Sequence, residues 1–481
     1  MKNHTTDMTN GDAVRHIIMF AIPALIGNVF QQIYNIADSI IVGRIVGPDA
    51  LAAVGATSSI TFLFFALCNG IGNGGGIIAS QYYGSHDDDK VKNCIVNTGL
   101  IMLIVPLLFG ITGFILAPTL LNVLGTPAEV FADATMYVRY MCVGLLFVSL
   151  YNYMSAMLRA LGDSKSPLYF LIVSTLVNVV LDIVFVYSFR MGIRGAALAT
   201  VISQFISAVS CGIYAWKVNP YFKLKKKDFV INAEMSFKVV RLGVPMSLQF
   251  ALIAISAMAV QRIVNSYGAT VMAAFTATNR IEQLIHQPYM TLGASLSTFC
   301  GQNFGAKKYD RVYEGYRKGS MIMVSITIVM MLVMQLFGRN ITALFVTEPE
   351  VIELGALGLR INSIFYITLG MIYVVRGVLT GVGDAFFALF NGVVEVIGRF
   401  TIPILMCRYM GFGETGIWLS TGAVWALSAA GALFRYYTHL NTKTGIMAEG
   451  LKSLDHDLEM AASKLMDAPM VQSYKTQGTR A

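Results

Sequence analysis

Twelve long apolar stretches alternate along this chain with short breaks rich in charged residues, Gly and Pro. They cover residues 17–42, 51–81, 93–117, 131–158, 167–189, 193–216, 239–264, 270–300, 317–338, 352–379, 385–409 and 414–438. Each meets or exceeds the roughly 20 residues with which a helix crosses a hydrocarbon core. None shows the strict polar–apolar alternation of barrel strands, and backbone groups in lipid have to be satisfied within their own segment, so the pattern predicts helices. Stretches longer than the minimum predict tilted or kinked spans.

A second, longer periodicity overlies the first. A shift of 221 residues places Gln81-Tyr82-Tyr83-Gly84 on Gln302-Asn303-Phe304-Gly305, Lys90-Val91 on Arg311-Val312, and Gly162-Asp163 on Gly383-Asp384. The same shift places Gly47, Ala52-Ala53 and Thr57 on Gly268, Ala273-Ala274 and Thr278, with Pro23 falling one residue from Pro245. Each copy holds six spans, an even number, so the copies keep one orientation and are related by a pseudo-twofold axis along the membrane normal. The expected fold is an all-α integral membrane protein, with twelve transmembrane helices in two pseudo-twofold related six-helix bundles. Its expected divisions are an N-terminal segment 1–16, a lobe 17–216, a basic linker 217–238, a second lobe 239–438 and a tail 439–481, in which 449–466 forms a surface amphipathic helix. Secondary transporters use such a plan to rock one bundle against the other.

Composition agrees with a membrane class: 56% hydrophobic against 13% charged, with a mean hydropathy of +0.63, where soluble chains carry about 25% charged residues. The net charge of +8 does not call for a nucleic-acid partner, because topology accounts for it. With the N-terminus in the cytoplasm, 25 Lys and Arg fall in cytoplasmic segments and five (Arg44, Arg190, Arg194, Arg339 and Arg408) in external loops. That bias predicts a plasma-membrane protein with both termini cytoplasmic. Lys223, Lys225, Lys226 and Lys227 mark the linker and can touch anionic lipid. The cysteines 68, 94, 142, 211, 300 and 407 lack paired spacing, so neither a disulfide framework nor a zinc site is expected. The first apolar run follows a polar leader and is long enough to span, so it is expected to be retained rather than cleaved.

Candidate chemistry lies inside the spans. Asn28, Gln31, Asn35 and Asp38 recur at steps of three, four and three and share one face of the first span; Asn178 and Asp182 share a face of the fifth. An ionised, unpaired acid at membrane depth costs several kcal/mol. Two such acids close together resist double ionisation, so Asp38 with Asp182 can hold a proton or a hard cation such as sodium. The competing reading is that both acids simply tie helices together. Glu395 and Arg399, four apart, suit a helical ion pair or a substrate contact. Gly70-x-Gly72-x-x-Gly75 imitates a dinucleotide fingerprint, but it lies inside an apolar helix and predicts close helix packing. Asp87-Asp88-Asp89 reads as a solvated loop. No nucleophile–base arrangement, HExxH pair or P-loop occurs, so neither an enzyme nor a cofactor is expected.

The first span, with Pro23, Gln31, Asn35, Ala37-Asp38 and Val42-Gly43-Arg44, resembles the multidrug and toxic compound extrusion (MATE) family, bacterial type. So do the Gln-x-x-Gly sequences after spans two and eight, the Arg159-Ala160-Leu161-Gly162-Asp163 turn, and Asn178 with Asp182, and the resemblance runs over residues 15–438. It implies an exporter, expected as a monomer, that moves small organic cations or other amphipathic compounds outward in exchange for protons or sodium, without ATP. It also implies an ion site in the N-terminal lobe, at Asp38, Asn152, Asn178, Asp182 and Thr200; the polar faces and pairs read above place Asn28, Gln31, Asn35, Glu395 and Arg399 as candidates along the substrate path. Acids that other branches carry in helices seven and ten fall here on Ile253 and Leu369, and the shift of 221 sets Asp38 on Ala259, Asn178 on Arg399 and Asp182 on Pro403. Coupling is therefore expected in one lobe alone. Two alternatives stand beside this reading: a lipid-linked precursor flippase, for which Arg139, Arg262, Arg280, Arg360 and Arg399 would hold phosphates, and a non-transporting receptor.

Overall fold

The computed structural model describes residues 5–41, 46 and 48–440; within the first helix, side chains are described up to residue 32. The first half contains α1 (Ala13–Ile41), α2 (Pro48–Gly84), α3 (Asp88–Val123), α4 (Ala128–Ala160), α5 (Lys165–Asp182) and α6 (Ile193–Val218). The second contains α7 (Ala233–Asn265), α8 (Ala269–Gly305), α9 (Tyr309–Ala343), α10 (Pro349–Ile364), α11 (Tyr366–Gly381), α12 (Ala385–Ile404) and α13 (Thr415–Arg435). Both α5 and α12 run directly into π-helical turns, Ile183–Ser188 and Leu405–Tyr409.

Ten of these helices are long and apolar enough to cross a membrane, and α10 with α11, bent by 50° at Phe365, makes another span among the described residues. The twelfth is α8. At 37 residues it is long enough but more polar, carrying Arg280, Glu282, Gln283, His286 and Gln287. It packs against α1, α2, α9, α10 and α11, so neighbouring helices supply partners that lipid cannot. Outward faces of other helices leave large apolar side chains uncovered, such as Leu336 at 67% exposure, as lipid contact requires.

The repeat is written into the backbone. Left-handed residues recur 221 apart: His86 (φ 55°) with Lys307 (φ 58°), Gly162 (83°) with Gly383 (92°), Arg190 (52°) with Gly411 (76°), and Gly192 (61°) with Gly413 (55°). Three of these eight residues have a Cβ, which disfavours such a conformation, so the turns are imposed by the helices they join. Among the described residues, four apolar clusters fill the interior: two are built mainly from the first half, one of them joined by Met235 and Val239 of α7, and two mainly from the second, around Tyr289 and Trp418, the former joined by Met8, Ile17 and Phe20.

The glycine run of α2 is a packing surface. A Cβ on Gly70 would run into Ser247, on Gly74 into the backbone of Gly243, and on Gly75 into Thr98. Two helices, α7 and α3, thereby approach α2 closely from different sides. The expected amphipathic helix at 449–466 lies outside the described residues.

Candidate functional site

In the first half, α5 ends at Asp182, whose side chain is 0% exposed, one turn after Asn178 at 1%. With the Asn178 amide turned so that its nitrogen donates to Asp182 Oδ2 (2.9 Å), its oxygen accepts from the backbone N–H of Thr200 on α6 (3.2 Å). The Thr200 hydroxyl donates to Ala196 O at 3.0 Å. The π-turn beginning at Ile183 widens the helix directly after the acid, a distortion that proteins concentrate at functional sites. Three of the five expected ion-site residues therefore meet: Asn178, Asp182 and Thr200.

Of the remaining candidates, those whose side chains are described lie apart from this group. Asn152 is half-buried in α4, and among the described residues no hydrogen bond links it to this group. The side chains of Asn35 and Asp38 lie outside the described residues. Asn28 points elsewhere, donating to Thr291 Oγ1 of α8 (3.1 Å) and tying the two halves together, and Gln31 is half-buried on the same helix.

The second half holds a carboxylate that the mirrored positions did not reveal. Glu282 on α8 accepts from Tyr366 Oη (2.9 Å) and Asn362 Nδ2 (3.3 Å). His286, one turn on, places Nε2 4.0 Å from the same carboxyl group, and Tyr373 Oη lies 3.4 Å from His286 Nδ1. Trp425 meets the imidazole edge-on at 5.7 Å. On α12, Glu395 and Arg399 form their helical pair at 3.8 Å, and Arg376 lies over the Tyr373 ring at 4.6 Å. The sequence did carry a signal for this cluster: Glu282 and His286 stand four apart in a span that also carries Arg280, Gln283 and Gln287.

Between the halves lies a cavity of about 270 Å³ whose walls include Asn73, Ile77 and Arg159 from the first half and Gln249, Met290, Tyr373 and Arg376 from the second. It reaches Ser80, Ala160 and Thr380, and there the two halves exchange hydrogen bonds. Gln81 Nε2 donates to Gly381 O (2.8 Å), and Gln302 Nε2 donates to Ala160 O (3.0 Å). Both donors and both acceptors are 221 apart. Gly84 and Gly305 permit this crossing, since a Cβ on either would overlap the carbonyl of Gln302 or Gln81. The Gln-x-x-Gly sequences are thus a reciprocal latch. An N-terminal strap reinforces it: Thr6 N donates to Leu161 O (3.1 Å), Met8 N to Gln302 Oε1 (2.9 Å), and Lys308 Nζ to Thr9 O (2.9 Å).

Two copies of one unit, latched across a pseudo-twofold axis around a central cavity, match a known family twice over. The MatE family model covers residues 23–184 and again 245–401, once in each half. This chain belongs to the MATE family. A probable multidrug resistance protein of Bacillus subtilis, YpnP, is 31% identical over 439 residues, covering 90% of this chain and 96% of the relative. The multidrug export protein MepA of Staphylococcus aureus is 24% identical over 441 residues, covering 90% and 96%. Among solved structures, a multidrug resistance MATE transporter in an outward-facing conformation superposes with a TM-score of 0.86 at 23% identity, over 93% of this chain and 99% of that one. A MATE protein in its straight conformation gives 0.85 at 24%, over 93% and 99%. Fold and family are those of a multi-pass membrane transporter.

Proposed function

We propose that this MATE-family member is a secondary active exporter, moving small organic compounds out of the cell by alternating access, in exchange for a proton or sodium ion held in the N-terminal lobe. The observation that carries the reading is the buried Asn178–Asp182–Thr200 group beside a π-turn. It offers the Asp182 carboxylate and the Thr200 hydroxyl oxygen, donors that a hard cation takes, while the Asn178 amide holds the carboxylate in place, and the carboxylate alone takes a proton. Asp38 and Asn152 complete the site in this reading. The relatives named for multidrug resistance and multidrug export support small organic cargo.

The latched end is the cytoplasmic one, because the Lys and Arg bias puts Lys90, Lys92, Lys307 and Lys308 there. The latched form is then closed to the cytoplasm, and ion exchange at Asp182 changes the relative stability of the two openings. Lobes 17–216 and 239–438 rock as bodies, in a monomer in the plasma membrane. Discharge of Asp182 removes a charge from a buried group, and the lobe relaxes around whichever state the cargo favours.

A second reading, the flippase, gains support from one observation: the fixed charges lining the cavity are those of Arg159 and Arg376. Reconstitution separates the readings. In proteoliposomes with an imposed pH or sodium gradient, wild type drives dye efflux and Asp182→Asn loses that gradient dependence. Full gradient-driven flux by the variant would overturn the assignment of the ion site, and the gradient that drives wild type identifies the ion.

A further inference from the structure

We propose that the inter-lobe cavity selects an amphipathic organic anion, with one carboxylate, sulfonate or phosphate head held between Arg159 and Arg376 and an apolar body on the surrounding walls. This names the cargo class of the transporter proposed above and rests on that reading. The resemblance to the family pointed to organic cations or other amphipathic compounds, without choosing between the signs of charge.

The cavity's lining decides against a cation. It contains two arginines and, among the described residues, no Asp or Glu. An organic cation entering there would face two like charges with no counter-charge. The carboxylates nearby are already engaged: Glu395 pairs with Arg399 at 3.8 Å, and Asp163 accepts from the Ser166 N–H at 3.0 Å and closes its own turn. Neither Arg159 nor Arg376 is ion-paired among the described residues. Arg376 is held by stacking on Tyr373 (4.6 Å), which fixes the guanidinium plane without neutralising it. An unpaired guanidinium away from water is costly, and an anion relieves that cost with two parallel hydrogen bonds.

A third donor points the same way. Gln249 of α7 lines the cavity and is only 3% exposed, yet its Nε2 has no hydrogen-bond partner. A buried amide N–H without a partner is expensive, and a turn of this side chain toward the cavity would let it meet an acceptor oxygen there. Ile77, Met246, Phe250 and Met290 supply apolar wall, and methionines adapt to different bodies.

The two arginines also belong to opposite halves, Arg159 on α4 and Arg376 on α11. An anion between them bridges the lobes. Without it, two like charges from opposite halves line one cavity beside the latch. Cargo occupancy therefore favours the latched form, and emptying the cavity favours separation.

The test uses three probes on the full chain: fluorescein as carboxylate dye, ethidium as cation, and a fluorescent polyprenyl phosphate as lipid-borne anion. Fluorescence anisotropy in detergent reads binding, and gradient-driven proteoliposomes read flux. Expected is fluorescein binding that falls about tenfold or more in Arg159→Gln and in Arg376→Gln, with partial retention in Arg376→Lys. Both Gln variants are first checked for a monodisperse profile and unchanged helicity, and should either fail, competition of fluorescein binding by benzoate but not by tetraethylammonium in wild type makes the same decision. Movement of fluorescein identifies a free organic anion as cargo; flipping of the polyprenyl phosphate alone identifies a lipid-borne one. Tighter binding of ethidium than of fluorescein by wild type, or fluorescein binding unchanged in both Gln variants, overturns the proposal. Anion-selective binding with no gradient-driven flux in wild type leaves this assignment standing and overturns the exporter reading alone.

Discussion

Glu282 receives hydrogen bonds from two neutral donors, the Tyr366 hydroxyl at 2.9 Å and the Asn362 amide at 3.3 Å. These two partners belong to different helices, Asn362 to α10 and Tyr366 to α11, so the carboxyl group fastens both sides of the 50° break to α8. Removing the hydroxyl in Tyr366→Phe strips a donor from a fully buried acid and should cost about 1–3 kcal/mol. Glu282→Gln keeps an acceptor oxygen for Tyr366 and brings an N–H to the side where His286 Nε2 lacks a partner, so it should cost less. Thermal unfolding in detergent ranks the two; a lower midpoint for Glu282→Gln than for Tyr366→Phe would contradict this account. The N-terminal acid was legible in the sequence because Asn178 and Asp182 stand one turn apart in an otherwise apolar span. Glu282 has no acid at the repeat-related position, which is Thr61, a hydroxyl that donates to Thr57 O in its own helix.

At the scale of elements, the apolar pattern located spans well and their interiors less well. The stretch 352–379 reads as one helix, yet the chain breaks at Phe365 without a proline or glycine at that point. The break coincides with a tertiary contact that composition does not announce: the Phe365 ring fills the space beside Gly422 of α13, where a Cβ would strike it. The π-turns after α5 and α12 were equally invisible, since they follow from backbone registration and not from composition. Packing by glycine is where sequence and element meet most directly, and the α2–α8 crossing provides a test. Gly84→Val and Gly305→Val each push a side chain into the opposing helix's carbonyl, so each should force the two ends apart while leaving the individual lobes folded. Spin labels on Asp89→Cys and Asp310→Cys, both exposed against a background of six buried cysteines, would then report a longer distance in either variant than in the labelled parent. An unchanged distance with full helicity would mean that the crossing tolerates a Cβ and does not hold the halves together.

The whole molecule is symmetric in its latch and asymmetric in what reinforces it. Gln81 and Gln302 make equivalent bonds across the axis, to Gly381 O and Ala160 O, and each such bond contributes about 1 kcal/mol net. Losing one therefore shifts the balance between latched and separated forms roughly fivefold, and losing both roughly thirtyfold. The strap breaks this equivalence, because Gln302 also accepts from Met8 N (2.9 Å) and donates to Thr6 O (3.5 Å), while Met8 itself is 1% exposed against α8 and α9. Gln302→Ala should then open the latched end more than Gln81→Ala does, and Met8→Asp should reproduce the excess, since a carboxylate in that apolar seat cannot stay without a partner. The same pair of spin labels reads all three: the long-distance population is expected to rise in the order parent, Gln81→Ala, Gln302→Ala. Equal effects of the two glutamines would show that the strap adds nothing to closure. No effect from either would remove the latch itself, leaving the α2–α7 and α1–α8 contacts to hold the halves in register.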